Sequence, residues 1–123
     1  SVRIVSARDG IIKIGEGSAI GPYTIINGGG NVMIGKKTIF AKNISINAND
    51  HEHKKLTNIM DQGFVYGDVI IEDDVWLGAN VCINKGVTIK KGSIVGANAV
   101  VTKNTDLYSI NAGVPSKKIS ERN

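Results

Sequence analysis

The feature of this sequence that most constrains its fold is a repeat of six residues. From position 71 onwards an aliphatic residue returns at every sixth position: Ile71, Leu77, Ile83, Ile89, Val95 and Val101. Small or β-branched residues stand four positions after the first five of these: Val75, Val81, Val87, Ser93 and Ala99. Helical stripes recur at three and four residues and single strands alternate at two, so neither explains a strict period of six.

A second position of the repeat holds residues that favour tight turns. It lies three residues after each aliphatic position: Asp74, Asn80, Gly86, Gly92, Asn98 and Asn104. Gly, Asn and Asp tolerate positive φ, which sharp corners require. Short strands joined by such corners and stacked coil on coil satisfy both positions, because each coil buries its aliphatic side chains against the next. The sequence therefore predicts one all-β domain over residues 1–123, folded as a parallel β-helix of hexapeptide repeats.

The N-terminal half repeats this pattern in two registers. One register is Ile14, Ile20 and Ile26, and the other is Ile34, Phe40 and Ile46. The two are offset by two residues across the glycines at 28–30. The turn position there holds Gly17, Asn43 and Asn49, whereas Tyr23, Gly29 and Lys37 make the pattern imperfect. We expect the same coil to run through this half, with less regular corners.

The repeat lapses between Ile46 and Val65. The segment from Glu52 to Phe64 is polar, rich in lysine and aperiodic, which predicts a loop ejected from the coil at about residues 52–64. Long loops on rigid scaffolds are often functional. A tolerated insertion would look the same, since lengthening a surface loop costs little free energy.

Composition restricts the possible partners. The net charge of +4 is not gathered into one long basic tract and is not accompanied by a set of aromatic side chains, so it does not indicate nucleic acid binding. A site for a phosphorylated cofactor or a solvated surface explains the lysines. The single Cys82 excludes an internal disulfide and suits a reducing compartment. No apolar run approaches the length of a membrane span, and the first residues lack the layout of a signal peptide, so we expect a cytoplasmic protein without membrane contact.

Four stretches of the chain resemble the hexapeptide-repeat acyltransferases. They are VWLGANV at 75–81, GVTI at 86–89, VGANAVVTK at 95–103 and AGVPSKKI at 112–119. The likeness runs from about Ile12 to Ile119. It implies a left-handed parallel β-helix with three strands per coil, a homotrimer with active sites between subunits, and acetyl transfer from acetyl-CoA without a metal. The segment AKNISI at 41–46 followed by NDH at 49–51 resembles the sugar acetyltransferase branch, and DHEH at 50–53 is similar to enzymes that acetylate sugars of bacterial surface polysaccharides. We therefore expect a sugar hydroxyl, and less readily an amine, as acceptor.

Two histidines are candidates for the general base of such a reaction. A hydroxyl attacks a thioester only when a base takes its proton, and histidine, with an unperturbed pKa near 6.5, is suited to that task. His51 stands at the end of a regular coil that can hold its backbone, and His53 lies two residues further into the loop. Because positioning is a large part of catalysis, we favour His51, which is also the histidine that the resemblance indicates. Asp50, Glu52 or a backbone carbonyl could orient the imidazole.

The resemblance also implies where coenzyme A binds. Ala79 and Ala97 would line its pantetheine arm, and Thr102 and Lys103 would lie near its nucleotide end. Lys118 is expected to reach a phosphate. Dense packing of small residues would equally explain the two alanines.

The single tryptophan, Trp76, occupies an outward position of the repeat and is not needed for the core. We assign it to the coenzyme A site, and a place in a subunit interface explains it equally well.

Other functions use the same architecture. Carbonic anhydrases of this fold need three histidine ligands, whereas this chain has two histidines, so only a site pooled between subunits could serve. Serine acetyltransferases carry a Gly-Lys-x-x-Gly-Asp-Arg-His stretch that is absent here. A non-catalytic β-helix that serves as a binding or assembly module is the main alternative.

Overall fold

The computed structural model describes residues 1–6 and 9–123 of the chain. Its strands, in chain order, are β1 Arg3–Val5, β2 Ile12–Ile14, β3 Ala19–Ile20, β4 Ile25–Asn27, β5 Val32–Ile34, β6 Ile39–Phe40, β7 Ser45–Asn47, β8 Asn49–His51, β9 Phe64–Tyr66, β10 Val69–Ile71, β11 Trp76–Leu77, β12 Cys82–Ile83, β13 Thr88–Ile89, β14 Ile94–Val95, β15 Val100–Val101, β16 Ser109–Ala112 and β17 Lys117–Glu121. One turn of 3₁₀ helix spans Ile59–Asp61. No helix in the described part of the chain is long and apolar enough to cross a membrane.

All of these strands except β8 and β9 form three sheets that the chain visits in rotation. Sheet A has the order β1-β4-β7-β12-β15, sheet B the order β13-β10-β5-β2, and sheet C the order β17-β16-β14-β11-β6-β3. The pairing is parallel throughout these sheets, except that β17 runs antiparallel to β16. The predicted parallel β-helix is therefore confirmed.

The register shows how six-residue repeats become coils. Cys82 pairs with Val100, eighteen positions later, so three repeats make one turn. Ile25 pairs with Ser45, twenty positions later. The two additional residues lie between β4 and β5, where Gly28–Gly30 were expected to shift the pattern.

The aliphatic stripe of the repeat forms the core. Its members are almost completely buried: Ile71, Leu77, Ile83, Ile89, Val95 and Val101. The small inward positions are equally buried: Val75, Val81, Val87, Ser93 and Ala99. Ile26, Ile34, Phe40 and Ile46 continue the stripe, whereas Ile14 is 40% exposed and Ile20 is half-buried. Both lie in the first coil, where the next coil covers them from one side only.

The corners explain why the turn position has its composition. Asp74, Asn80 and Asn98 adopt φ values of 58°, 64° and 65°, and Gly17, Gly86 and Gly92 also have positive φ. The positions that seemed irregular follow the same geometry, since Tyr23 has φ 62° and Lys37 has φ 56°. Closing the coil therefore imposes the left-handed conformation even on residues that disfavour it.

Two residues assigned to corners were wrongly placed. Asn49 lies in β8 and has no positive φ. Asn104 also lacks a positive φ, and its side chain instead accepts a hydrogen bond from the backbone amide of Thr88 at 2.7 Å. In both cases an asparagine satisfies backbone groups through its side chain rather than through a left-handed turn.

The ejected loop is present and is more ordered than its sequence suggested. β8 and β9 pair antiparallel as a hairpin, so Phe64, the last residue of the predicted loop, belongs to a strand. Between the strands, the side chain of Gln62 donates to the carbonyls of Lys54 and Thr57 and accepts from the amide of Lys54. One polar side chain thus supplies three of the hydrogen bonds within an aperiodic segment.

Candidate active site

The hairpin leaves the coil at the corner between sheets A and B. Ala48 is its root: this residue is fully buried, and its carbonyl accepts from the amides of Gly30 and Gly67, both at 3.2 Å. The side chain of Asn49 donates to the carbonyl of Gly28 at 2.7 Å. The first strand of the hairpin is therefore fixed to the preceding coil.

A cleft of about 440 Å³ opens between the hairpin and the coil that follows it. Six residues line this cleft: Asn47, Asn49, Asp50, His51, Asn84 and Lys85. All six carry polar or charged side chains. Most binding sites for small molecules are lined by apolar side chains. This cleft is lined by amides and charges instead, which suits a ligand rich in hydroxyl groups.

His51 opens into this cleft, but it does not end a coil as the sequence suggested. It is the last residue of β8, so the hairpin carries it away from the three sheets. Its imidazole is exposed and packs against the ring of Phe64, directly opposite in β9, with centroids 4.8 Å apart and planes inclined by 36°. Cross-strand pairs of this kind stabilise a hairpin by up to about 1 kcal/mol.

The acidic neighbours of His51 hold the backbone rather than the ring. The Asp50 carboxylate accepts a hydrogen bond from the amide of His51 at 3.0 Å. The amide of Glu52 donates to the carbonyl of Gly63 at 2.9 Å. Within residues 1–6 and 9–123, no hydrogen bond reaches the His51 imidazole, so the contact with Phe64 is what positions it.

His53 has the orientation that a general base needs. Its Nδ1 lies 3.0 Å from the carbonyl oxygen of His51. That contact suits the tautomer with hydrogen on Nδ1, which leaves the lone pair of Nε2 free to accept a proton. His53 does not line the cleft. One histidine, His51, thus lines the cleft, and the other, His53, has the oriented ring.

The cleft floor contains amides that sequence reasoning missed. Asn27 donates to Asn47 at 3.0 Å, and Asn47 donates to the hydroxyl of Ser45 at 3.1 Å. Asn84 stands one coil further along, because β12 pairs with β7. The signal was available: once the ejected loop is taken out, Asn47 and Asn84 occupy equivalent positions of the repeat.

The alanines predicted to line the pantetheine arm lie at the corner between sheets C and A. The amide of Asn98 donates to the carbonyl of Ala79 at 2.9 Å, so Ala79 and Ala97 are stacked in consecutive coils. A Cβ on Gly78 would approach the backbone nitrogen of Ala97 to 2.7 Å, so only glycine permits this spacing. Ala97 is exposed and Ala79 is half-buried.

Trp76 lies elsewhere, on the outer face of sheet C. It is 51% exposed and pairs with Ile39 in β6 and Ile94 in β14. Lys37, Asp74 and Arg122 also lie beside it, and no residue of the His51 cleft does within the described chain.

Thr102 and Lys103 follow β15 at the corner between sheets A and B, and both are exposed. Lys103 and Lys118 line a second cleft of about 230 Å³. Lys118 is already paired: its ammonium lies 2.5 Å from Glu121 and 3.6 Å from Asp106. The hydrogen bond with Glu121 raises the pKa of Lys118 and lowers that of the Glu121 carboxyl. A phosphate would have to replace these carboxylates.

One chain does not gather all the predicted residues. Lys103 lies at the same corner from which the hairpin of His51 leaves, two coils further along. Ala79 and Ala97 lie at the opposite edge of sheet A, and Trp76 is on another face. In residues 1–6 and 9–123, no three or more His, Cys, Asp or Glu side chains cluster so that they could hold a metal ion.

Known proteins are similar to this chain in both sequence and fold. The family model described as bacterial transferase hexapeptide (six repeats) matches residues 68–103. A probable acetyltransferase of Mycobacterium tuberculosis is 32% identical over 119 residues, which are 96% of this chain and 40% of that protein. Galactoside O-acetyltransferase of Escherichia coli is 36% identical over 94 residues, covering 75% of this chain and 45% of the relative.

A solved structure of an acetyltransferase is also similar to this chain. The hexapeptide-repeat containing acetyltransferase of Vibrio cholerae, complexed with acetyl coenzyme A, superposes with a TM-score of 0.72 at 29% identity. The match covers 91% of this chain and 61% of that one. The chain thus spans less than two thirds of the length of each of these three proteins.

Proposed function

Because this chain belongs to the hexapeptide-repeat acyltransferase family, we propose that it transfers an acetyl group from acetyl-CoA to a hydroxyl of a sugar. The observation that carries the proposal is the cleft at His51, in which a candidate base faces only amide, carboxylate and ammonium groups. Such a lining suits a carbohydrate hydroxyl better than an apolar alcohol. The sugar is proposed to be a building block of a bacterial surface polysaccharide.

In the proposed reaction, Nε2 of His51 takes the proton of the acceptor hydroxyl as its oxygen attacks the thioester carbonyl. The new C–O bond gives a tetrahedral intermediate whose negative oxygen is stabilised by backbone N–H groups at a coil corner. Collapse of the intermediate breaks the C–S bond. The protonated His51 then returns its proton to the departing thiolate, so that free coenzyme A and the acetyl ester leave a regenerated base.

Coenzyme A is proposed to bind along Ala79, Ala97, Thr102 and Lys103, with Trp76 and Lys118 completing the site. These residues lie on different faces of one chain, so a site shared between the subunits of a homotrimer would unite them. The exposed Ile39 and Trp76 on sheet C support a subunit contact, since aromatic residues are enriched at interfaces. Because acetyl-CoA is a cytoplasmic metabolite, the reaction is assigned to the cytoplasm.

Release of free thiol in the presence of acetyl-CoA and a panel of sugars tests this function. We expect thiol release that depends on the sugar and a calorimetric signal for coenzyme A alone. A non-catalytic module would give neither. Binding of coenzyme A without turnover on any sugar would point to a different acceptor and would remove the sugar from the proposal.

A further inference from the structure

The cleft at His51 contains one cation that no other part of the structure uses. Lys85 follows β12 and is half-buried, although lysine is usually well exposed. No carboxylate of residues 1–6 and 9–123 lies within ion-pair distance of its ammonium. The stem is accommodated by Gly67, because a Cβ built there would come within 3.3 Å of the Lys85 Cβ.

The remaining charges of the cleft do not neutralise Lys85. The hairpin contributes Asp50 and His51, and the coils contribute only asparagine amides. One oxygen of the Asp50 carboxylate accepts the amide hydrogen of His51, and no ion pair joins this carboxylate to Lys85 among the described residues. The amide of Asn47 is likewise engaged with Ser45. Lys85 is therefore the lysine of this cleft, and its ammonium has no ion-pair partner among the described residues.

We propose that Lys85 binds a carboxylate or phosphate group of the acceptor, so that the cleft selects an acidic or phosphorylated sugar. This inference rests on the proposed acetyl transfer, and it names the class of acceptor. Charge-assisted hydrogen bonds to an ammonium are about twice as strong as neutral ones, and a partly desolvated lysine gains more from such a partner than an exposed one. The amides around Lys85 would bind the sugar hydroxyls while the ammonium fixes the anionic end.

The phosphates of coenzyme A carry the same chemistry and are the other source of an anion for Lys85. The second cleft, however, already offers Lys103 and Lys117 to those phosphates. Lys85 instead lines the same cleft as the candidate base, where the acceptor hydroxyl has to lie. The acceptor is accordingly the source to which we assign the anion.

Lys85→Gln tests this assignment, with Lys85→Arg as the conservative variant. Lys36→Gln removes the same charge from an exposed position outside the cleft and is the matched control. Steady-state kinetics would compare glucuronate and glucose 6-phosphate with glucose. We expect the wild type to prefer an anionic sugar and Lys85→Gln to reduce that preference, as the ratio of kcat/KM values, by about tenfold, which corresponds to one charge-assisted bond. Lys85→Arg should restore part of it, and Lys36→Gln should keep it.

Calorimetric titration of the same three sugars keeps the inference testable if no sugar is acetylated. Weaker binding of the anionic sugars to Lys85→Gln, with no turnover by the wild type, would refute sugar acetylation and retain the anion site. Turnover of glucose and the anionic sugars with equal kcat/KM would retain sugar acetylation and refute the anion site at Lys85. A change confined to the KM for acetyl-CoA would assign Lys85 to the donor phosphates and overturn the inference, as would equal effects of Lys85→Gln and Lys36→Gln.

Discussion

Replacing the two histidines in turn tests which of them is the general base: His51, which lines the cleft, or His53, whose ring is oriented by a backbone carbonyl. We expect His51→Ala to abolish transfer and His53→Ala to reduce it much less. A positioned general base contributes about 10²–10⁴-fold to the rate, which is about 3–5 kcal/mol of transition-state stabilisation. His53 supports the hairpin through one exposed hydrogen bond to the carbonyl of His51, so its loss should cost less than tenfold.

The same geometry limits the structural effect of the His51 substitution. Its imidazole is exposed, and its one aromatic contact is the ring of Phe64 at 4.8 Å. Removing such a cross-strand pair costs up to about 1 kcal/mol, and His51 is not one of the residues that form the buried core. We therefore expect a melting temperature within a few degrees of the wild type and an unchanged affinity for coenzyme A.

The assay is thiol release with a working acceptor, with calorimetry and thermal melting on the same samples. Loss of kcat with intact binding and melting would support His51 as the base. If His53→Ala is the inactive variant and His51→Ala is active, the orientation by the backbone carbonyl matters more than the cleft, and the base is His53. If both variants remain active, histidine catalysis is refuted, and Asp50 becomes the next candidate.

Three further expectations concern the rest of the chain. Leu77→Ala should lower the free energy of unfolding by about 2–5 kcal/mol in urea denaturation, because Leu77 is fully buried, whereas Thr102→Ala on the exposed corner should change it by less than about 0.5 kcal/mol. Lys103→Ala should weaken coenzyme A binding measured by calorimetry, and an unchanged affinity would remove Lys103 from the site. Sedimentation should give a homotrimer at micromolar concentration, and a clean monomer would contradict the shared coenzyme A site.

The core could be predicted from the sequence because its period is a geometric consequence of the coil. Every member of the stripe from Ile71 to Val101 is buried, because each repeat turns the same position towards the interior of the coil. The corners were less predictable. Tyr23 and Lys37 adopt positive φ although their side chains disfavour it, so closure of the coil outweighs local preference there.

The candidate site was predicted only in part. His51 was singled out, but its place on a hairpin depends on the pairing of Asn49 with Tyr66, and no periodic pattern signals that pairing. Lys85 was missed because a lysine two residues after an inward isoleucine looks like any solvated corner residue. Its significance appears only when the hairpin is folded back over the coil, which brings residues 47–51 and 84–85 to one cleft.

The corners give a last prediction in which two neighbouring lysines should respond in opposite directions. Lys37 has φ 56°, which costs a residue with a side chain about 1–2 kcal/mol, whereas glycine adopts it freely and loses about 0.5–1 kcal/mol in chain entropy on folding. Lys37→Gly should therefore raise the free energy of unfolding by about 0.5–1 kcal/mol and keep the bond from its amide to the carbonyl of Glu16.

Lys36→Gly is the control, because it removes the same charge at the adjacent position of the chain. Lys36 has no positive φ, and its amide donates to Asp73 at 2.7 Å, so glycine brings only its entropic cost of about 0.5–1 kcal/mol. Urea denaturation at one protein concentration would compare the midpoints. Opposite shifts would show that the coil imposes its geometry on Lys37. Equal losses in both variants would mean that the lysine side chain, and not its backbone conformation, determines stability at that corner.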